Sequence, residues 1–342
     1  MAANKSIRCV AVRGQRPITG FVPALSLALL AWPSAVFAAW VGEAIDLMGT
    51  RVSVDLWDED EQRGKVLADQ VLDEYRRIDA AMSTYRESSE ISRVNREAAN
   101  SPVPISQELF DLIARALELA SASAGAFDIT YESVGYLYDF RAATRPTQSE
   151  IESRLDAINY RHVSLEPSTR TITFSMPAVR INLGGIAKGY AVERAASLLR
   201  AAGIEHAMLT AGGDTRVLGD RRGRPWIVGI RHPRLADEVV TRLPLQDEAI
   251  STSGDYERFF EENGRRYHHI LNPLTGEPAQ GILSVTIIGP DATLTDGLST
   301  TVFVLGRQSG LALIERTPGY EAVIVEASGV LSYSSGLAAA ED

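Results

Sequence analysis

Beyond residue 38, apolar positions recur with periods that switch repeatedly between two and about 3.6 residues. Residues 48–57 alternate apolar and polar side chains as a half-buried strand does, whereas 66–82 carry Leu67, Val71, Leu72, Tyr75 and Ile78 at helical spacing. A second helix is expected from Ser106, a suitable N-cap, through Leu109, Leu112, Ile113, Ala116 and Leu117, ending before Gly125. Thr147 and Glu150 have capping-box spacing ahead of 151–158. Segments 171–174 and 179–183 read as paired strands, and 188–202 as a helix stopped by Gly203. Further strands are expected at 206–210, 226–230, 267–271, 284–288, 321–325 and 330–333. Short turns separate these elements, and no internal repeat or low-complexity tract interrupts them, so the chain reads as one intertwined α+β unit. Its softest seam, TRPTQSE around Pro146, reads as an internal loop.

The segment from Ile181 to Gly219, INLGGIAKGYAVERAASLLRAAGIEHAMLTAGGDTRVLG, is the richest in candidate chemistry. A strand running into Gly184 and Gly185 opens an amphipathic helix near Ala187, and the chain returns to a second glycine turn. Glycine lets the backbone approach a ligand closely, and the first unbonded N–H groups of a helix favour an anion. The unit therefore predicts a phosphate site, and two converging glycine turns point to a ligand of dinucleotide size, although the same pattern also serves as plain scaffolding. TDGLST adds Asp296 and Thr300, which on a helix would present a carboxylate and a hydroxyl on one face. Hard oxygen ligands at that spacing suit Mg2+, which keeps its other positions for water or phosphate. Taken alone, the pair reads more readily as an N-cap or a surface polar pair than as metal ligands.

Composition narrows the classes. A chain of 342 residues, 45% hydrophobic and 23% charged, can bury a substantial core. Its net charge is −10; residues 1–38 hold Lys5, Arg8, Arg13 and Arg16 and no acid, leaving −14 beyond them. That balance argues against a general nucleic-acid binder. Residues 1–38 read as a secretory signal: the basic segment precedes FVPALSLALLAWPSAVFA, an apolar run broken by Pro23 and Pro33 and ending in small Ala38. Export to the periplasm is expected, with an uncleaved membrane anchor as the alternative. The sole cysteine, Cys9, precedes the apolar run, so the usual lipoprotein arrangement is absent and residues 39–342 have no disulfide or thiolate chemistry.

Eight motifs follow one another along the chain: MGTRVSVDLW from Met48, MSTYRESSEISRVN from Met82, GAFDIT from Gly125, INLGGIAKGYAVERA from Ile181, the TAGGDTRVLG turn, ISTSGDYERFF from Ile250, YHHILNPLTGEP from Tyr267 and SVTIIGPDATLTDGLSTTVFVLG from Ser284. In this order they resemble the FAD:protein FMN transferase family, also called ApbE, over nearly the whole chain after the leader. The resemblance implies a single α+β domain at 39–342 with mixed or antiparallel sheets and packed helices. It places Met48 and Tyr85 on the flavin side of FAD, Tyr85 offering an aromatic face for stacking; Met48 also fits an ordinary core position. Ala126, Phe127 and Asp128 match a cofactor-contacting segment. Asn182 stands where many members carry aspartate, so it keeps hydrogen bonding to the cofactor without a charge, and a general-base role does not follow.

By the same resemblance, Gly185 would offer its carbonyl to Mg2+ beside Asp296 and Thr300, with Asp296 counted also among the catalytic residues. Lys188 would meet phosphate oxygens, its alternative being a solvent-exposed helix lysine. His269 matches the family's histidine, and a near-neutral pKa would make it a proton acceptor. Leu271, in the same motif, falls among the cofactor-binding positions. His268 lies at a variable position without an assigned role, and His162, His206 and His232 take structural readings. The implied chemistry is Mg2+-dependent transfer of FMN from FAD to a Thr or Ser hydroxyl of an exported or membrane-bound redox protein, releasing AMP, with no nucleic-acid partner. An FAD pyrophosphatase and a noncatalytic flavin carrier are the alternatives.

Overall fold

The computed structural model describes residues 39–235 and 238–337; the expected leader at 1–38 lies outside them. β1 (Ala39–Leu47) and β2 (Thr50–Asp58) pair antiparallel across a two-residue turn in which Met48 and Gly49 both take left-handed φ, 54° and 71°. This turn geometry matches the natural twist of a hairpin. The alternation expected from residue 48 therefore becomes strand only at Thr50. α1 (Glu61–Met82) is capped by Asp60, which accepts the N–H groups of Gln62 and Arg63, and it lays Leu67, Val71, Leu72, Tyr75 and Ile78 against the hairpin. α2 (Glu90–Glu97), β3 (Val103–Pro104) and α3 (Gln107–Ala122) follow, the two helices opened by the hydroxyls of Ser89 and Ser106. After α4 (Glu132–Gly135), the Thr147/Glu150 capping box forms as expected and opens α5 (Gln148–Glu152).

β4 (Val163–Glu166) and β5 (Thr171–Phe174) join β3 in a small sheet of order β3-β5-β4. Residues 179–183, expected as the partner of β5, are not a strand. Val179, Ile181 and Leu183 are buried in strand-like alternation, but the backbone is stitched to other segments. The Ile181 N–H donates to Asn95 Oδ1 at 2.7 Å, Asn95 Nδ2 donates back to the Ile181 carbonyl at 2.9 Å, and the Asn182 N–H donates to the Ile129 carbonyl at 2.9 Å.

α6 (Ala187–Ala201) leads to Gly203 at φ 79° and into β6 (Ala207–Ala211) and β7 (Asp214–Leu218). Next come the hairpin β8 (Trp226–Arg231) and β9 (Val239–Leu245), then β10 (Ala249–Gly254). A second hairpin, β11 (Phe259–Glu262) and β12 (Arg265–His268), replaces the single strand expected at 267–271. β13 (Ile282–Gly289), α7 (Ala292–Ile314), β14 (Glu321–Glu326) and β15 (Leu331–Tyr333) complete the order, with α7 interrupted at Gly306.

Eight strands form one antiparallel sheet, β1-β2-β6-β7-β10-β13-β14-β15, with α1, α6 and α7 packed on one face. Side chains alternate between faces, so Leu209, Val285, Ile287 and Ile324 meet the helices, while Val217, Ile250, Ile288 and Val323 meet Trp226, Ile230 and Leu245 of the β8–β9 hairpin. A satellite core joins Val134, Tyr138 and Ile151 to Phe260, Tyr267 and Leu271. Among the described residues, no helix is long and apolar enough to cross a membrane.

Candidate active site

α6 and α7 cross at a glycine. A Cβ at Gly189 would strike the Ala292 carbonyl oxygen and lie 2.6 Å from Asp296 Cβ, so a side chain there would force the helices apart. The close approach brings Asp296 Oδ2 to 2.9 Å from the Gly189 N–H. The helix start expected to hold an anion thus already holds one of the protein's own carboxylates.

Lys188 Nζ lies 2.6 Å from Asp214 Oδ2 and 3.4 Å from Asp296 Oδ1. Two buried carboxylates therefore share one ammonium, and the lysine is not the free surface side chain that was the alternative reading. Burial raises the Asp296 carboxyl above the usual carboxylate range and Asp214 adds to this, with Lys188 and the Gly189 N–H opposing. Burial pulls the Lys188 ammonium down, but the two carboxylates outweigh it and hold the pKa above that of an ordinary lysine.

The helical spacing of Asp296 and Thr300 is realised on α7. Thr300 Oγ1 lies 3.3 Å from Ser253 Oγ, which is itself 2.8 Å from Ser299 Oγ, and Ser251 bonds Thr295 at 2.8 Å. Alternate hydroxyls of β10 thus hold the polar side of α7 in place. Gly185 faces the same point: a Cβ there would lie 3.2 Å from the Phe127 ring and 3.3 Å from Thr300 Oγ1. A carboxylate, a hydroxyl and a glycine backbone carbonyl packed beside that hydroxyl are donors of the hard-oxygen kind that suits Mg2+. Among the described residues, no three His, Cys, Asp or Glu side chains gather as a metal-binding group, and a site built on one carboxylate needs no such group.

His269 departs from the near-neutral pKa expected of it. Burial, followed by the charges of Arg258, His268 and Lys188, pushes it down to about 3, and its Nδ1 is buried without a partner. The ring is therefore neutral and able to accept a hydrogen bond. Arg258 also reaches the Met48 carbonyl at 3.4 Å, a Cβ on Gly49 would lie 2.5 Å from its Nη2, and its carbonyl accepts the His269 N–H at 3.1 Å, so Arg258 links the β1–β2 turn to the His269 segment. His268 has a definite structural place: Nε2 bonds the Ala279 carbonyl at 2.9 Å, Nδ1 accepts the Ile270 N–H at 3.3 Å, and its ring sits edge-on to Phe303.

Asn182 holds the glycine turn. Its Oδ1 accepts the Gly184 N–H at 2.7 Å, and its Nδ2 donates to Glu132 Oε2 at 3.0 Å and Thr84 Oγ1 at 3.3 Å. Burial lifts Glu132 to about 7, with Asn182 and Arg180 opposing. Tyr85 is 81% exposed, Met48 is half-buried against the main core, and Ala126 is half-buried beside buried Phe127. Asp128 uses Oδ1 on the N–H and hydroxyl of Thr130, at 2.8 and 2.6 Å, and Oδ2 on the Tyr160 N–H at 2.7 Å. Leu271 is buried in the satellite core and bridges to Pro278. The structure therefore gathers Phe127, Gly185, Lys188, Asp296 and Thr300, while Asp128 and Leu271 serve the surrounding framework.

Sequence reasoning assigned no role to Asp214, Ser253, Arg258, Glu132 or Thr84. Four of them lie in motifs already noted, TAGGD, ISTSGDYERFF and MSTY, yet nothing in local spacing says that they converge.

The arrangement defines an α+β domain whose crossing helices present a carboxylate, a hydroxyl and an ammonium beside a glycine turn. A family model described as ApbE family matches residues 48–324, and the chain belongs to that family. It is 34% identical to a Vibrio cholerae protein named FAD:protein FMN transferase over 254 residues, 72% of this chain and 75% of that one. A Klebsiella pneumoniae protein of the same name is 30% identical, covering 82% and 87% of the two chains. The solved ApbE protein of Thermotoga maritima superposes with TM-score 0.81 at 33% identity, covering 87% of this chain and 98% of that one. The structure titled flavin transferase ApbE from Vibrio cholerae gives 0.77 at 30% identity, with the same coverage of both chains.

Proposed function

We propose that this ApbE-family transferase moves the FMN moiety of FAD onto a Thr or Ser hydroxyl of an acceptor protein, with Mg2+ as cofactor and AMP as the leaving group. Its relatives' shared name supports flavin transfer. The observation that carries the reading here is the convergence of Asp296, Thr300 and Gly185 beside the Lys188 ammonium.

Asp296, Thr300 and the Gly185 carbonyl would hold Mg2+, which when bound neutralises pyrophosphate charge. Lys188, already poised between two acids, is placed to meet a phosphate oxygen. The glycine turn, braced by Asn182, lets the pyrophosphate approach the backbone, and exposed Tyr85 offers a ring face to the flavin. The acceptor hydroxyl forms a new bond to the FMN phosphorus as the pyrophosphate P–O bond breaks, and the bridging oxygen leaves with AMP. Neutral His269 takes the hydroxyl proton, which becomes strongly acidic as the new bond forms. We place this chemistry in the periplasm, on an exported or membrane-bound redox protein, because of the leader-like sequence at 1–38.

The test is to incubate the purified chain with FAD, Mg2+ and a Thr- or Ser-bearing acceptor, then read covalent flavin by in-gel fluorescence after denaturation. The wild-type chain should label, Asp296→Ala should not, and His269→Asn should bind FAD yet label about 10²–10⁴-fold more slowly. Release of free FMN without labelled acceptor would establish hydrolysis instead, and full activity in Asp296→Ala would remove the proposed ligand set.

A further inference from the structure

At the end of β1 remote from Met48, on the sheet face carrying the β8–β9 hairpin, tryptophan and arginine side chains cluster. Half-buried Trp40 and Trp57 face each other across β1 and β2 with ring centres 5.8 Å apart, and Trp226, itself buried, backs Trp40 edge-on at 5.3 Å. The Arg221 guanidinium lies 5.3 and 5.5 Å from the Trp40 and Trp226 ring centres, and that of Arg222 lies 4.1 Å from the Trp57 ring. Arg224, Pro225 and Ile227 complete one wall of an open groove of about 890 Å³, with Ile227 57% exposed. None of these residues takes part in the site described above.

Three features say what this face meets. The turn following β7 carries Arg221, Arg222 and Arg224, with Asp55 the acid lining the same groove, so a cationic spot stands on a chain whose residues 39–342 carry a net charge of −14. Trp and Arg are the side chains that settle at a bilayer boundary, with the indole at headgroup depth and the guanidinium at phosphates. The apolar stretch 21–38 runs in sequence directly into Trp40, so the segment suited to a membrane and this face are neighbours along the chain. We infer that the Trp–Arg face rests on an anionic phospholipid surface. β1 then acts as a spacer that holds the β1–β2 turn, and the site beside it, about 25 Å away from the lipid.

The experiment uses the full chain carrying Trp32→Phe, so that fluorescence comes from Trp40, Trp57 and Trp226. It is mixed with phosphatidylglycerol–phosphatidylcholine vesicles, or with phosphatidylcholine alone, each bearing a headgroup-level nitroxide quencher. The apolar stretch 21–38 enters either vesicle, so quenching should be markedly stronger in the anionic vesicles than in the uncharged ones. Added salt, or the combined Arg221→Gln, Arg222→Gln and Arg224→Gln changes, should reduce it to the level in uncharged vesicles. The triple variant should keep its thermal midpoint and its flavin chemistry toward a soluble acceptor, so a failure of docking is separable from a failure of the proposed activity. Equal quenching in both lipids, or in wild type and variant, would overturn the inference. So would concentration-dependent dimers that vanish in the triple variant without any lipid quenching, because the face would then belong to a second copy.

Discussion

Asn182 shows what one uncharged amide accomplishes beside a buried acid. Its Nδ2 lies 3.0 Å from Glu132 Oε2, so an aspartate at this position would set two carboxylates against each other in a poorly hydrated place. Glu132 is raised from 4.5 to about 7, which means that the folded state binds its proton more tightly than the unfolded chain does. Its stabilising contribution is complete below about pH 4.5 and is lost as pH rises through 7, up to about 3 kcal/mol in all. Urea unfolding at pH 5 and pH 8 should show Glu132→Gln flattening that slope. Asn182→Asp should steepen it; a wild-type stability unchanged between the two pH values would contradict this reading. The neighbouring histidines diverge in the same way. His268→Asn removes a packed ring and two hydrogen bonds and should cost about 2–4 kcal/mol of unfolding free energy, whereas His269→Asn should leave stability near that of wild type.

At the scale of elements, the glycine where α6 meets α7 sets the geometry of the site. Gly189→Ala places a methyl group against the backbone carbonyl of Ala292, which cannot rotate away, so the helices must separate. The expected loss exceeds about 3 kcal/mol. Covalent flavin labelling should fall even at temperatures where the variant stays folded, because Asp296 leaves the Gly189 N–H; normal labelling by a folded variant would show that the crossing distance does not matter. This contact also marks the limit of what the sequence discloses. α1, α3 and α6, the Ser106 cap and the Thr147/Glu150 box were legible because helix period and capping are local. Asp296 and Thr300 were legible as one face for the same reason. β10 was not, since a central strand buried on both faces loses its polar alternation, and the β11–β12 hairpin, a separate two-stranded sheet of four-residue strands, showed only as the single strand expected at 267–271. Residues 179–183 misled in the opposite sense, keeping the alternation while Asn95 and Ile129 took the backbone bonds. Asp214 and Ser253 reach the site through sheet order, and no spacing along the chain encodes that.

Taken as a whole, the molecule draws its site from the β1–β2 turn, α6, β7, β10 and α7, so a ligand bound there stabilises all of them together. FAD at one hundred times its Kd should raise the unfolding free energy by about 2.7 kcal/mol in a single transition, and FMN at the same concentration should do markedly less. With EDTA the shift by FAD should shrink, but the protein should remain folded, because Lys188 already balances Asp214 and Asp296. Scanning calorimetry that gave two separate transitions, or equal shifts with FAD and FMN, would speak against this arrangement. The strand order has a further, practical consequence. β1 and β15 occupy opposite edges of the eight-stranded sheet, seven strand spacings or about 33 Å apart. A segment joining β1 directly to β15 would need about ten extended residues merely to cross the sheet. A donor and acceptor dye attached beside these two edge strands would sit within energy-transfer range in the native state and drift apart as the sheet opens.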